Sequence, residues 1–213
     1  MPDKLTRSVL AIVLCSTLAY CSQPEKQEET PSSEIEHATH SPELSEVAVA
    51  IKAQSEPDTL IGSLKAEAHG QVGNAHLMIQ YHSPAVRGRM IWGGLIGYDQ
   101  VWVTGAHSAT SLTTDKDITI GEKQLPAGKY ALFTIPGKEE WTIIINKNWE
   151  QHLADDYSEA DDVLRISVKP ETAAKQQERL RYEIMSENEG IGTIVMTWEK
   201  LKISVPVGVE TSK

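Results

Sequence analysis

The chain predicts an all-β fold, an antiparallel β-sandwich or jelly-roll-like barrel of about nine or ten strands with little helix. Three observations point there. Apolar residues recur with period two, not 3.6, through residues 59–213. Turn residues break these runs at short spacing. No long stretch carries the apolar stripe of an amphipathic helix.

Taken in order, Leu77, Ile79 and Tyr81 alternate with His76, Met78, Gln80 and His82, as on a strand with one dry face. Val101 and Val103 alternate with Trp102 and Thr104, and Ile120-Gly121-Glu122 ends another strand. Pro126-Ala127-Gly128 and Pro136-Gly137 bracket a strand over Lys129 to Ile135. Pro136-Gly137 has the residues of a type II turn, so Glu140 to Lys147 should return as a hairpin partner. The stretch 151–162, rich in carboxylates, reads as an exposed loop. Thr172 to Gln177 reads as a helical turn before the strand of Leu180, Tyr182 and Ile184. Leu201, Ile203 and Val205 alternate with Lys202 and Ser204 in the last strand.

Upstream, Lys4 and Arg7 precede the uncharged run Val9 to Tyr20, the pattern of a secretory signal over 1–21. A membrane-crossing helix needs about 20 apolar residues, and this run is shorter. Leu18-Ala19-Tyr20-Cys21 resembles the lipobox of bacterial lipoproteins, with Tyr20 where a small residue is usual. Lipid attachment at Cys21 would join the protein to a bilayer and place it in the cell envelope, facing the periplasm or the surface. Cys15 would leave with the signal, so the mature chain could form no internal disulfide.

Residues 22–58 read as an acidic tether, with nine acids against Lys26 and Lys52 and few large apolar side chains. Within it Leu44 to Ala53 could form a short helix, and His37 and His40 give a His-x-x-His spacing. The remaining 59–213 is sized for one domain. The chain carries net charge −10. No basic field exists to attract nucleic acid, and none is expected as a partner.

Several motifs in order are recognisable. They are His82-Ser83-Pro84-Ala85-Val86-Arg87-Gly88-Arg89 continuing into Ile91-Trp92-Gly93-Gly94-Leu95, then Tyr98, and Val101-Trp102-Val103-Thr104-Gly105-Ala106-His107 with Ala109-Thr110. Leu125-Pro126-Ala127-Gly128-Lys129-Tyr130, Phe133-Thr134-Ile135-Pro136-Gly137, Trp141-Thr142-Ile143-Ile144, Asp162-Val163-Leu164-Arg165 and Lys169-Pro170 follow. From Tyr81 to Pro206 the chain resembles the bacterial family DUF2911. The resemblance implies an exported all-β domain and no particular reaction. Val103 and His107 depart from the arginine and asparagine usual in the family, which removes one guanidinium and adds an imidazole.

The main candidate site is the glycine-rich block from Arg87 to His107. Trp92, Tyr98 and Trp102 could floor a sugar-like ligand while Arg87, Arg89 and His107 donate to its oxygens. Equally, Trp92 and Trp102 could be core, with Arg89 bracing a carboxylate such as Asp99. A second candidate is the strand face His76, Met78, Gln80, His82, which with His69 or His107 offers late-transition-metal ligands. His76 and His82 are too far apart along a straight strand to share one ion. Ser108 beside His107, with Asp99 upstream, is poor geometry for a hydrolase, because strand neighbours face opposite ways. Asp155, Asp156, Glu159, Asp161 and Asp162 offer oxygens for calcium without the ligand order of an EF-hand. No Gly-x-Ser-x-Gly, His-Glu-x-x-His or phosphate loop is present, and no cofactor is expected. The sequence therefore favours a domain that binds a small molecule or an envelope partner, with metal binding or hydrolysis through His76, His82 or His107 as the rival.

Overall fold

Alternation becomes strand through most of the chain. A computed structural model describes residues 48–54 and 58–209, all in one compact unit. The signal, Cys21, His37 and His40 lie outside the described residues. The strands are β1 (Leu64–Val72), β2 (Ala75–Ser83), β3 (Ser111–Thr114), β4 (Ile118–Ile120) and β5 (Lys123–Leu125). Then come β6 (Gly128–Ile135), β7 (Trp141–Asn146), β8 (Asp162–Val168), β9 (Glu171–Asn188) and β10 (Ile191–Gly208). One sheet has the order β1-β2-β3-β6-β7-β8 and the other β5-β4-β10-β9. Every pairing between these strands is antiparallel, so the expected β-sandwich of about ten strands is what forms.

Period two decides which face of β2 is dry, whereas β6 and β7 are buried on both faces over residues 131–134 and 143–146. On β2 Ala75, Leu77, Ile79, Tyr81 and Ser83 are buried, while His76, Met78, Gln80 and His82 alternate outward. The inward residues meet the second sheet in one continuous core, each large side chain contributing about 1.5–3 kcal/mol. At Gly70 of β1 the absent Cβ lets Ile184 of β9 lie against the backbone; any added carbon would overlap it.

Four of the five tryptophans meet in this core. Trp92 packs edge-on to Trp102, Trp141 and Trp198 at centroid distances of 5.8, 5.0 and 5.7 Å. Trp102 stacks on Trp198 at 5.8 Å. Of the two sequence readings for Trp102, the structure therefore realises core: it is buried, and its Nε1–H donates to Gly105 O at 3.1 Å.

The structure departs from sequence expectation in four places. The first is Val101 to Thr104, which form no strand and make only an isolated bridge from Trp102 to Thr134, with Trp102, Val103 and Thr104 all buried. Residues 172–177 are strand, not a helical turn, because they lie in β9 and the register places Thr172 opposite Leu201 and Gln177 opposite Glu199. The β6–β7 hairpin forms as expected, but Gly137 does not adopt the positive φ of a type II turn. Its lack of a side chain serves instead the close approach of Glu140 O. The domain also begins before residue 59. Val49 forms a parallel bridge with Ala66, donating to Lys65 O and accepting from Glu67 N at 3.1 Å each. Ile51 packs on the core, and Asp58 is ion-paired to the buried Arg179 at 2.8 Å. The described part of the expected 44–53 helix, residues 48–53, is thus not helical.

Two core tyrosines set an alkaline limit. Tyr81 and Tyr182 meet edge-on at 4.8 Å, and Tyr182 donates its hydroxyl to Thr104 O at 2.9 Å. Burial pushes the Tyr81 phenol up to about 12 and raises Tyr182 well above 10. A raised folded value means this stability is complete below the unfolded value of 10.0 and disappears as pH climbs through the folded one. Urea midpoints should therefore hold to pH 10 and then fall, with Tyr81→Phe falling less steeply from its own plateau.

Candidate functional site

The 84–110 connection between β2 and β3 holds every residue of the main sequence candidate, and the fold disperses them. Arg87, at φ 50°, turns its Nη2–H to Leu60 O at 2.9 Å, and its backbone N–H donates to Glu178 Oε1. Arg89 donates to the carbonyls of Val86 and Ala85, closing its own turn and not bracing Asp99. Asp99 N–H donates to Pro136 O, well along the connection from His107 and Ser108. Tyr98 covers the Cβ position that Gly93 leaves empty. Trp92 and Trp102 are committed to the aromatic core, so arginines, tryptophans and His107 do not converge on one pocket.

His107 goes elsewhere. It sits at φ 62°, a left-handed conformation uncommon outside glycine. Its ring meets that of His82 edge-on at 5.1 Å, on the outer face of the six-stranded sheet. There a groove of about 500 Å³ is lined by outward residues of β1, β2, β3 and β6 and by the segment after β7. Lys65 lies opposite His82 in the β1–β2 register, and Gln80 lies opposite Ser111 in β2–β3. Lys129 reaches in from β6, its Nζ donating to Gln80 Oε1 at 3.2 Å and lying 3.9 Å above the Trp149 ring.

The far wall is held by buried polar groups. Asn146, fully buried at the end of β7, donates through Nδ2 to Ser158 O and Asp162 Oδ1 and accepts from Asn148 N–H. That bends the chain over the sheet and brings Trp149, Glu150, Gln151 and His152 to the groove. Ala109 N–H then donates to Gln151 O, and Ser108 bridges to His152. Gln151 is 6% exposed, and its Oε1 has no hydrogen-bond partner. Two ammoniums, the imidazoles of His82 and His152, the hydroxyls of Ser108 and Ser111, one indole and the Glu150 carboxylate therefore line one concavity, with His107 beside it against His82. Such a set can accept oxygen-rich and anionic groups.

The match to known families follows this architecture closely. The family described as "Protein of unknown function (DUF2911)" matches residues 63–207. The chain belongs to the DUF2911 family. No curated protein and no solved structure matches the sequence.

Most other chemistry-bearing groups of this DUF2911 domain pair outside the groove, while Asp155 faces the groove's His152. His76 pairs with His69 at 5.5 Å, not with His82, and Glu67 carboxylate lies 3.3 Å from His69. The carboxylates proposed for calcium are divided among partners. Asp162 accepts from Asn146, Tyr157 and Arg165; Glu159 lies 3.4 Å from Arg165; Asp155 faces His152 at 3.3 Å. Among the described residues no cluster of three or more His, Cys, Asp or Glu is arranged to hold a metal ion.

Sequence reasoning reached His107, His82 and Gln80 but missed Lys65, Lys129, Trp149, Gln151 and His152. Lys129 had no local signal, since residues 131–134 of β6 are buried on both faces and strand parity does not separate a wet side. Trp149 and His152 had none, because only the Asn146 bend brings them over the sheet.

Proposed function

We propose that this is an exported envelope domain, lipid-anchored through Cys21, that binds a small hydroxyl-rich molecule carrying an anionic group, without chemical conversion. The groove on the outer sheet face carries this reading. Its cationic and hydroxyl groups suit carboxylate or phosphate oxygens, and Trp149 offers an apolar face of the kind that suits sugar rings. Support for export comes from the basic and apolar leader and from the lone mature cysteine.

The rival, a metal protein, draws on the His82–His107 pair. One set of measurements separates the two. A thermal-shift panel of neutral and acidic sugars, peptidoglycan fragments and lipid headgroups should yield a stabilising acidic ligand. At 100 times its dissociation constant the gain is about 2.7 kcal/mol. Lys129→Ala and Trp149→Ala should abolish that shift, while Met185→Ala on the distant β9–β10 hairpin keeps it. A panel without any stabilising ligand sinks the reading. Stoichiometric copper or zinc in untagged protein, lost with His82→Ala, would install the rival.

A further inference from the structure

Two adjoining loops present hydrocarbon to solvent at a place the groove does not use. Ile61 is 88% exposed and Met90 74%, and Leu60 and Leu95 are about half exposed. Their backbones are pinned together. Arg87 Nη2–H donates to Leu60 O, and the buried Arg179 donates to Leu60 O and Gly62 O. Leu95 N–H donates to Met90 O at 3.0 Å, and Arg89 closes the turn between Ala85 and Met90. Isolated exposed aliphatics need no explanation, but four on pinned, touching loops mark an interaction surface.

Charge selects the partner. Residues 59–66 hold one acid-free run and residues 85–98 another, and the second includes Arg87 and Arg89. Both guanidiniums donate to backbone carbonyls, which carry no net charge. The acids at the base of the loops, Glu178 and Asp58, are engaged by Arg87 N–H and by Arg179. Exposed aliphatic side chains thus lie beside two exposed arginines on a protein whose overall charge is −10. Side chains so exposed need a partner that yields around them. The boundary between headgroups and acyl chains yields, whereas a folded protein would need matching sockets. Arginines beside these side chains would meet lipid phosphates.

We propose that these loops seat the domain on an anionic bilayer, with Ile61 and Met90 entering the headgroup–acyl boundary and Arg87 and Arg89 at the phosphates. This surface is separate from the groove, so either reading can fail alone.

The test uses the full chain with Cys15→Ser and Cys21→Ser, and one new cysteine at Ile61→Cys, Met90→Cys or Met185→Cys. Each carries a polarity-sensitive fluorophore. The apolar leader brings all three to vesicles alike, so the comparison reads which face touches lipid. With phosphatidylglycerol-containing vesicles, labels at 61 and 90 should brighten several-fold and shift to the blue, while that at 185 stays as in water. Pure phosphatidylcholine or high salt should weaken the response. Labels at 61 and 90 that stay in water, or respond no more than that at 185, would overturn the proposal. So would a vesicle-independent response that grows with protein concentration, which would mark a contact between copies. Far-UV circular dichroism confirms that each labelled chain is folded.

Discussion

Arg179→Met should cost the domain about 3–5 kcal/mol in urea unfolding, because it leaves the Asp58 carboxylate buried without its counter-charge. Arg179 is 2% exposed and spends its whole guanidinium inside the protein. Its Nε faces Asp58 Oδ2 at 2.8 Å, and its Nη atoms donate to the carbonyls of Leu60, Gly62 and Ser83. The substitution therefore removes a charge pair and releases the 58–63 segment from the sandwich. Replacing both partners, as Asp58→Leu with Arg179→Met, should cost less than Arg179→Met alone, since no charge is then stranded. A loss below about 1 kcal/mol for Arg179→Met would show the pair to be solvated and this account wrong.

The same pair has a pH signature. Burial raises the Asp58 carboxyl, but the hydrogen bonds from Arg179 and Leu60 N–H and the charges of Arg179 and Arg87 outweigh it. The folded value lies below 3.8. A depressed carboxyl value means the stability is present above the unfolded value and is lost as pH falls through the folded one. Asp58→Asn should start less stable at neutral pH and decline less steeply below pH 4 than the native chain.

Trp198→Ala should be comparably severe, with a loss of about 3–5 kcal/mol from transfer and cavity terms together. Trp198 is fully buried, stacks on Trp102 and meets Trp92 edge-on. Removing it opens the centre of the tryptophan cluster, and rings packed on both sheets and on the 84–110 connection cannot all follow. Trp92→Ala should cost clearly less, because Trp92 is only partly buried. Urea midpoints of the two variants give the order directly. Equal losses would mean that the connection, not the sheet interface, dominates the cluster.

How far the sequence speaks depends on the range of the interaction. Parity on β2 was legible to the residue, because a strand with one dry face records its orientation locally. The β6–β7 hairpin was legible as well, though Gly137 serves close packing and not a left-handed turn. Residues 172–177 were misread because Lys175, Gln176 and Gln177 give no clear alternation, and their strand character comes from β10 across the hairpin. The site was harder. Arginines and tryptophans adjacent in sequence suggested one pocket, yet indoles gain most from burial and went inward while the guanidiniums found carbonyls. The groove joins Lys65, His82, Lys129, Trp149 and His152 from strands and loops far apart in the chain, and His107 meets it only through His82. Nothing local announces such a gathering.

Val49, lying beside Ala66, has a consequence for how this molecule avoids its own kind. The outermost strand of a sheet offers bare amides and carbonyls to any passing copy. Here Val49 bonds to that margin at Lys65 and Glu67, so this short stretch of the chain also serves as a selvedge against strand-to-strand aggregation there.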